Sequence, residues 1–252
     1  MKIGILYIGI GRYSCFWPEF YESCERNLVP GAEKHYYVFT DKESEIGGDE
    51  HVEVFHQDDM GWPLNSLFRF KMFHRICDRL KVNDFLFFFN SNARVVRTVE
   101  AADILPEKED FSALCMATGA ELGFEKRPES AACVPQGPVR NYYSGALNGG
   151  KCAPYLELVK ACDAMVDTDL RNGIMPVWHD ESVINRYLMD KPVKAMTRSM
   201  GKPANWREPK DYKIVLRTKE RVLGRGWLRR YKGREHTNTW LRKLLKKVGI
   251  VK

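Results

Sequence analysis

Asn83-Asp84-Phe85-Leu86-Phe87-Phe88-Phe89-Asn90-Ser91-Asn92-Ala93-Arg94 is the stretch on which the fold depends. Its core of five consecutive apolar residues, four of them Phe, is too short to cross a membrane. Such a run reads as a central strand covered on both faces. It stops abruptly at Asn90-Ser91-Asn92. In open α/β sheets ligands bind beyond the carboxyl ends of the strands, so a polar N-x-N placed there marks a candidate small-molecule site. Two Asn residues also simply form turns, and this stretch alone leaves both readings open.

Working outward, residues 2–8 read as a first buried strand, followed by the loop Gly9-Ile10-Gly11-Arg12-Tyr13. Its Gly-x-Gly lacks the third Gly of a dinucleotide fingerprint and is a weak phosphate signal. Phe16, Phe20 and Cys24 recur every four residues, with Pro18 near the start, which predicts a helix. Tyr36 to Thr40 and His51 to Phe55 read as further strands, and Gly61-Trp62-Pro63 as a turn. Leu67, Phe70, Phe73, Cys77 and Leu80 keep helical spacing up to the Phe run. Phe111 to Met116 predicts another strand, and residues 119–141 a long irregular excursion. The small residues of 142–150 read as a segment leading into a helix marked by Tyr155, Val159, Cys162 and Val166. A short helix follows Trp178-His179-Asp180-Glu181, and residues 193–195 and 213–216 read as edge strands. This alternation predicts an α/β fold with a mainly parallel sheet and helices on both faces.

The 252 residues suit one large α/β domain, or one domain plus appendages. Seven scattered Cys form no C-x-x-C pair, which argues against a zinc ribbon or a disulfide framework and for free thiols in a reducing compartment. The start reads as a strand rather than a signal peptide, and no apolar stretch reaches membrane-spanning length. Charge is uneven. From Trp227 onward nine cationic residues face the single Glu235, so the tail carries +8 and the other 226 residues −1.

Trp178-His179-Asp180-Glu181 is the densest group of reactive side chains. An indole stacks on a sugar ring, and a carboxylate beside an anomeric carbon attacks it or stabilises its positive charge. The plainer reading is that Asp180 caps the following helix and Glu181 complements its dipole. The pattern as a whole resembles glycosyltransferase family 6, which holds the blood-group A and B transferases and the α1,3-galactosyltransferase. The resemblance rests on residues 35–41 (HYYVFTD), Gly61-Trp62, Asp84-Phe85-Leu86 leading to Asn90-Ser91-Asn92, and Glu125-Lys126-Arg127-Pro128. It continues through Tyr142-Tyr143, Gly145 and Gly149-Gly150 to Trp178-His179-Asp180-Glu181-Ser182, Asn185 and Tyr187. It covers residues 2 to about 220, and the tail lies beyond it.

The resemblance implies a GT-A fold: a Rossmann-like nucleotide-sugar half to about residue 115 and an acceptor half over about 116–226, with 227–252 as a basic amphipathic tail. It implies retaining transfer of galactose or N-acetylgalactosamine from UDP-galactose or UDP-N-acetylgalactosamine to O3 of a galactose-terminated oligosaccharide or lipid-linked glycan. By position Glu181 is then the catalytic carboxylate. Asp180 and Arg69 hold donor-sugar hydroxyls, and Ile8, Gly9, Ile10 and Tyr13 contact uridine. Trp178 and its neighbour His179 meet the acceptor, and Ser144, Gly145 and Ala146 stand where the family selects its donor sugar. Ala146 predicts galactose, because its methyl group takes room that an acetamido group needs.

Two departures stand out. Mammalian members carry Asp-x-Asp where this chain has Asn90-Ser91-Asn92, and carboxylates are the usual ligands of oxygen-preferring divalent cations. No metal cofactor is therefore expected, and leaving-group charge falls to cations such as Arg217, Lys219 or Arg221. Thr118 replaces the family's acceptor-contacting His, which implies a different acceptor. A bacterial or phage enzyme of the cytoplasm is the expectation. In residues 239–252 apolar Trp240, Leu241, Leu244, Leu245 and Val248 alternate with cations at helical spacing, which suits an anionic membrane surface. The rivals are a nucleotide-sugar-binding protein without turnover, a glycosidase, and a nucleic-acid binder. The last has only the basic tail in its favour and no nucleic-acid motif, so nucleic acid is not an expected partner.

Overall fold

The Phe run is the fourth of seven strands in one sheet, with three strands on either side. The computed structural model describes residues 1–119, 123–208 and 210–233. Its strands are β1 (Lys2–Ile8), β2 (Glu33–Thr40), β3 (Val52–His56), β4 (Phe85–Phe89), β5 (Ala93–Val95), β6 (Phe111–Gly119), β7 (Arg140–Lys151), β8 (Val193–Met196), β9 (Lys202–Pro203) and β10 (Ile214–Leu216). Its helices are α1 (Trp17–Asn27), α2 (Leu64–Leu67), α3 (Arg69–Arg75), α4 (Cys77–Leu80), α5 (Ala101–Ile104), α6 (Cys152–Arg171), α7 (Asp180–Leu188), α8 (Lys219–Leu223) and α9 (Arg225–Lys232).

The main sheet runs β3-β2-β1-β4-β7-β6-β8, and a small second sheet runs β5-β10-β9. β4 lies parallel to β1, with Ile3 opposite Phe85 and Tyr7 opposite Phe89. Alternate residues of β4 point to opposite faces, and both faces are covered. Leu86 and Phe88 pack with Leu6, Phe70, Phe73 and Tyr155 on one side. Phe87 and Phe89 pack with Ile5, Tyr7, Trp17 and Phe20 on the other. None of these four β4 residues is more than 4% exposed. At about 1.5–3 kcal/mol for each buried side chain, this strand anchors the sheet.

The fold is thus α/β with a mixed sheet. Four neighbouring pairs are parallel, but β7 runs antiparallel to both β4 and β6. Residues 142–150 do lead directly into a helix, α6, but they are themselves a strand, β7, which the sequence did not mark. Its small residues serve close approach: a Cβ on Gly149 would stand 2.2 Å from Phe87 Cδ1. The helix expected up to Leu80 is interrupted at Phe68 and Ile76, giving α2, α3 and α4. The apolar side nevertheless stays buried throughout, because the period sets which face packs, not whether the hydrogen-bond ladder is continuous. Residues 214–216 join the small sheet, where β10 pairs antiparallel to β5. β5 follows β4 directly, so this pairing draws the C-terminal segment to the carboxyl end of the main sheet. The amphipathic segment 239–252 lies outside the described residues. No helix among the described residues is long and apolar enough to cross a membrane. All seven Cys are free.

Candidate active site

From β1 the chain continues to β2 on one side, while β4 lies on the other. Chain connections diverge at such a point and leave a crevice beyond the carboxyl ends of the strands. A cleft of about 260 Å³ opens there. Ile8 and Ile10 reach it from the end of β1, and Asn90 and Ser91 from the end of β4. Ser144, Gly145 and Ala146 come from β7, Arg69 from α3, and Asp180 and Glu181 from the start of α7. Tyr13, Trp178, His179 and Lys219 complete the sequence-predicted residues in the lining.

Asp180 and Glu181 occupy the first turn of α7, where the helix dipole favours negative charge. Neither is spent as a cap. Asp180 Oδ2 lies 2.8 Å from Arg69 Nη1. Glu181 accepts from Tyr142 Oη at 2.6 Å through Oε1 and from the Gly145 N–H at 2.6 Å through Oε2. Both carboxylate oxygens are therefore held before any substrate arrives. Gly145 permits this approach, since a Cβ there would stand 2.9 Å from Asp180 Oδ2 and 3.4 Å from Glu181 Oε2. His179, just before the helix, has φ of 54°. Backbone strain of this kind in a non-glycine residue concentrates at functional sites.

Arg69 is 2% exposed and lies between Phe70 and Phe88, with its guanidinium carbon 4.3 Å from the Phe88 ring centroid. Nη1 also donates to the Gly145 carbonyl at 2.7 Å. Nε and Nη2 are buried without a hydrogen-bond partner among the described residues. Burial pushes the Asp180 carboxyl up to about 6, with Arg69 opposing the shift and Glu181 adding to it. Burial likewise lowers Lys219 to about 8, reinforced by Lys232 and opposed by Asp180 and Glu220. Burial raises Tyr142 well above its usual range, and the Glu181 charge raises it further, so it remains a hydrogen-bond donor.

Five predicted residues lie outside the cleft lining, one of them Arg221, which is exposed on α8. Gly9 braces the turn: its N–H donates to Phe39 O at 2.9 Å and its carbonyl accepts from Thr40 Oγ1 at 2.8 Å. Thr118 is exposed on β6, where its hydroxyl meets Asn141 Oδ1 at 2.7 Å. Asn92 is buried and donates through Nδ2 to the Arg217 carbonyl at 2.6 Å, while the Arg217 N–H donates to Asn92 O at 2.8 Å. Asn92 thereby ties down the C-terminal segment. The Arg217 guanidinium pairs with Glu19 and lies over Phe16 rather than in the cleft.

Other lining residues did not emerge from sequence reasoning: Trp62, Asn65, Ser66, Phe88, Tyr231 and Lys232. The last two belong to α9, in the segment read as tail. α9 packs through Trp227 and Tyr231, whose rings stack at 4.6 Å, with Tyr13 at 6.0 and 6.1 Å from them. Asn65 Nδ2 donates to Tyr231 Oη at 2.6 Å. Only the aromatic pair Trp227 and Tyr231 hinted that this basic stretch returns to the body.

An oxygen-preferring divalent cation does not fit this strand end. Asn90 and Ser91 offer neutral oxygens, and Asn92 lies outside the lining with its Nδ2 on the Arg217 carbonyl, while the two nearby carboxylates are engaged by Arg69, Tyr142 and Gly145.

Residues 1–221 match Glycosyltransferase family 6. The O-antigen biosynthesis glycosyltransferase WbnI of Escherichia coli is 33% identical over 226 residues, spanning 88% of this chain and 96% of that protein. The histo-blood group ABO system transferase 1 of Rattus norvegicus is 29% identical over 216 residues, spanning 77% and 59%. The globoside alpha-1,3-N-acetylgalactosaminyltransferase 1 of Gallus gallus is 28% identical over 212 residues, spanning 78% and 60%. The chain thus spans nearly all of the bacterial relative and about three fifths of the two vertebrate ones. The fold and the cleft define a glycosyltransferase. The chain belongs to glycosyltransferase family 6.

Tyr142 gives a first expected result. Tyr142→Phe removes one charge-assisted hydrogen bond from Glu181, worth about 1.5–3 kcal/mol. Steady-state kinetics should show kcat down about 10-fold or more with the donor KM nearly unchanged. An unchanged kcat would show that the Tyr142–Glu181 hydrogen bond does not set the rate.

Proposed function

We propose that this enzyme moves galactose, or less readily N-acetylgalactosamine, from a UDP-sugar to the 3-OH of a β-galactoside acceptor in a bacterial surface glycan. Transfer retains the anomeric configuration and uses no metal. The observation that carries this reading is Glu181, held by both oxygens beside the Asp180–Arg69 pair at the β1–β4 crevice. The names of the relatives support the linkage and the glycan class, one being an O-antigen enzyme and another an alpha-1,3-transferase.

Glu181 faces the anomeric carbon and either attacks it or shields its developing positive charge. Asp180 accepts donor-sugar hydroxyls, and the unpartnered Nε and Nη2 of Arg69 suit sugar oxygens. Ile8, Ile10 and Tyr13 wall the nucleoside end, and Trp178, 52% exposed, offers its face to the acceptor. Lys219 and Lys232 meet the diphosphate as negative charge develops on the leaving group. Arg217, paired with Glu19, is not given that role. An anionic membrane surface remains the proposed partner of 239–252, on the residue pattern alone.

The test is transfer from UDP-galactose and UDP-N-acetylgalactosamine to galactose-terminated acceptors, with and without EDTA. Transfer that survives EDTA and favours UDP-galactose is expected. UDP binding without turnover would leave a nucleotide-sugar-binding protein, and strict Mn²⁺ dependence would show that other carboxylates have taken up ligation. Ala146 is 7% exposed in the cleft wall. Ala146→Gly should shift the kcat/KM ratio toward UDP-N-acetylgalactosamine by about 1–3 kcal/mol. A ratio that does not move would remove Ala146 from donor selection.

Lys219 gives the pH dependence of donor binding. With its pKa lowered to about 8, it loses its charge as pH rises through that value. UDP affinity should therefore weaken above that pH in the parent protein. In Lys219→Met, affinity should be about 10-fold weaker near neutrality and flatter across the same range. Calorimetric titration at a series of pH values checks both. Equal affinities in the two proteins would place the diphosphate elsewhere.

A further inference from the structure

Among the described residues, one group of three metal-type donors lies within reach of a single ion, and it is not in the cleft. It consists of Glu33, His35 and His51, with one ligand atom of each within 4.8 Å of the other two. Glu33 and His35 are two apart on β2, so their side chains share a face of that strand. His51 immediately precedes β3 on the neighbouring strand, where its carbonyl accepts the Tyr36 N–H at 2.8 Å. The two imidazole centroids are 5.0 Å apart. His35 Nε2 lies 2.6 Å from Glu33 Oε1, which holds that ring in orientation.

We propose that Glu33, His35 and His51 bind one divalent transition-metal ion, with zinc the best match. Two imidazoles and a carboxylate suit Zn²⁺, Ni²⁺ or Cu²⁺, whereas Ca²⁺ and Mg²⁺ prefer sets made entirely of oxygen. Zinc bonds to such donors span about 2.0–2.2 Å, so a modest rotamer adjustment closes the group around the ion, and water completes the shell. The adjustment is open to these side chains, since Glu33 is 41% and His35 20% exposed. Lys2 is the competing cation, with Nζ 3.3 Å from the same Glu33 oxygen. Its side chain is 45% exposed and can withdraw into solvent when the ion enters.

The position decides what the ion does. Glu33 pairs with Lys2 at the start of β1, whereas Ile8, at the cleft, pairs with Phe39. The six-residue separation along β2 is about 20 Å, so the ion stands at the opposite end of the strands from the transfer chemistry. It fastens β3, the edge strand, to β2. A metal ion can therefore change the stability of this enzyme without entering its reaction.

The experiment uses the full chain stripped with EDTA and titrated with ZnCl2, followed by calorimetry and thermal unfolding. CoCl2 serves as a spectroscopic probe of the ligands. One equivalent of Zn²⁺ should bind and raise the unfolding midpoint, with a Co²⁺ spectrum free of thiolate charge transfer. His35→Ala and His51→Ala should each weaken binding by about 10-fold or more, as even loss of a ligand's supporting partner does. Glu33→Gln serves as a third variant that keeps the side-chain shape. Transfer to a soluble acceptor should be the same with and without Zn²⁺, which separates this site from the donor site. Absence of any heat or midpoint shift would overturn the proposal. So would undiminished binding in the His35→Ala/His51→Ala double variant, or thiolate bands that assign the ion to cysteines.

Discussion

Glu181→Gln should lower the transfer rate by about 100-fold or more, which is about 2.7 kcal/mol in the barrier. The substitution keeps the side-chain volume and removes the charge. Its amide still accepts one hydrogen bond, from Tyr142 or from Gly145, but not both as the carboxylate does. UDP affinity should hardly change, because the cleft cations Lys219 and Lys232 are untouched. The measurement is single-turnover transfer alongside UDP titration. A variant that turns over near the parent rate, with donor binding intact, would show that another group stabilises the anomeric centre.

Arg69→Met should produce the largest loss of stability in the site. Arg69 is the buried partner of Asp180, whose side chain is 14% exposed. Removing one member of a buried pair typically costs about 3–5 kcal/mol, because the other is left without compensation. The loss should depend on pH in a stated direction. Folding holds the Asp180 carboxyl near 6, above its ordinary 3.8. The folded state therefore binds the extra proton between those values, and this group's contribution to stability falls as pH rises across that window. Without Arg69 the carboxyl is held higher still. The deficit of the variant in urea unfolding should then be larger at pH 8 than at pH 5, where Asp180 takes up a proton. Donor KM should rise as well. Equal deficits at the two pH values would mean that the guanidinium matters chiefly as packing between Phe70 and Phe88.

The site shows how far a sequence motif can carry a geometry. Trp178 to Glu181 is contiguous in the chain, and Asn90 follows an unmistakable strand, so both were readable as places where chemistry collects. Nothing local indicated what the carboxylates would face. Asp180 and Glu181 look like helix-start residues, and their release from that task depends on Arg69, Tyr142 and Gly145, 35 or more positions away. Arg217 and Lys219 are near neighbours with like charge, yet Glu19 draws one away while the other enters the cleft. Asn90 and Asn92 part in the same way, one to the cleft and one to the backbone of Arg217.

What the chain by itself determined was the class of fold and the centre of its sheet. A run of large apolar residues can satisfy both its side chains and its backbone only as a strand covered on both faces, and that constraint is local. The small residues around Gly149 carried no such constraint. They became a central antiparallel strand because Phe87 leaves no room for a side chain beside it. The basic stretch from Trp227 read as a tail beyond the family resemblance, with its packing left open. Its first turns close over the cleft, because Trp227 and Tyr231 pack their rings against Tyr13 and bring Lys232 to the mouth. Where a residue packs depends on surfaces supplied by distant segments, so that decision belonged to the tertiary structure.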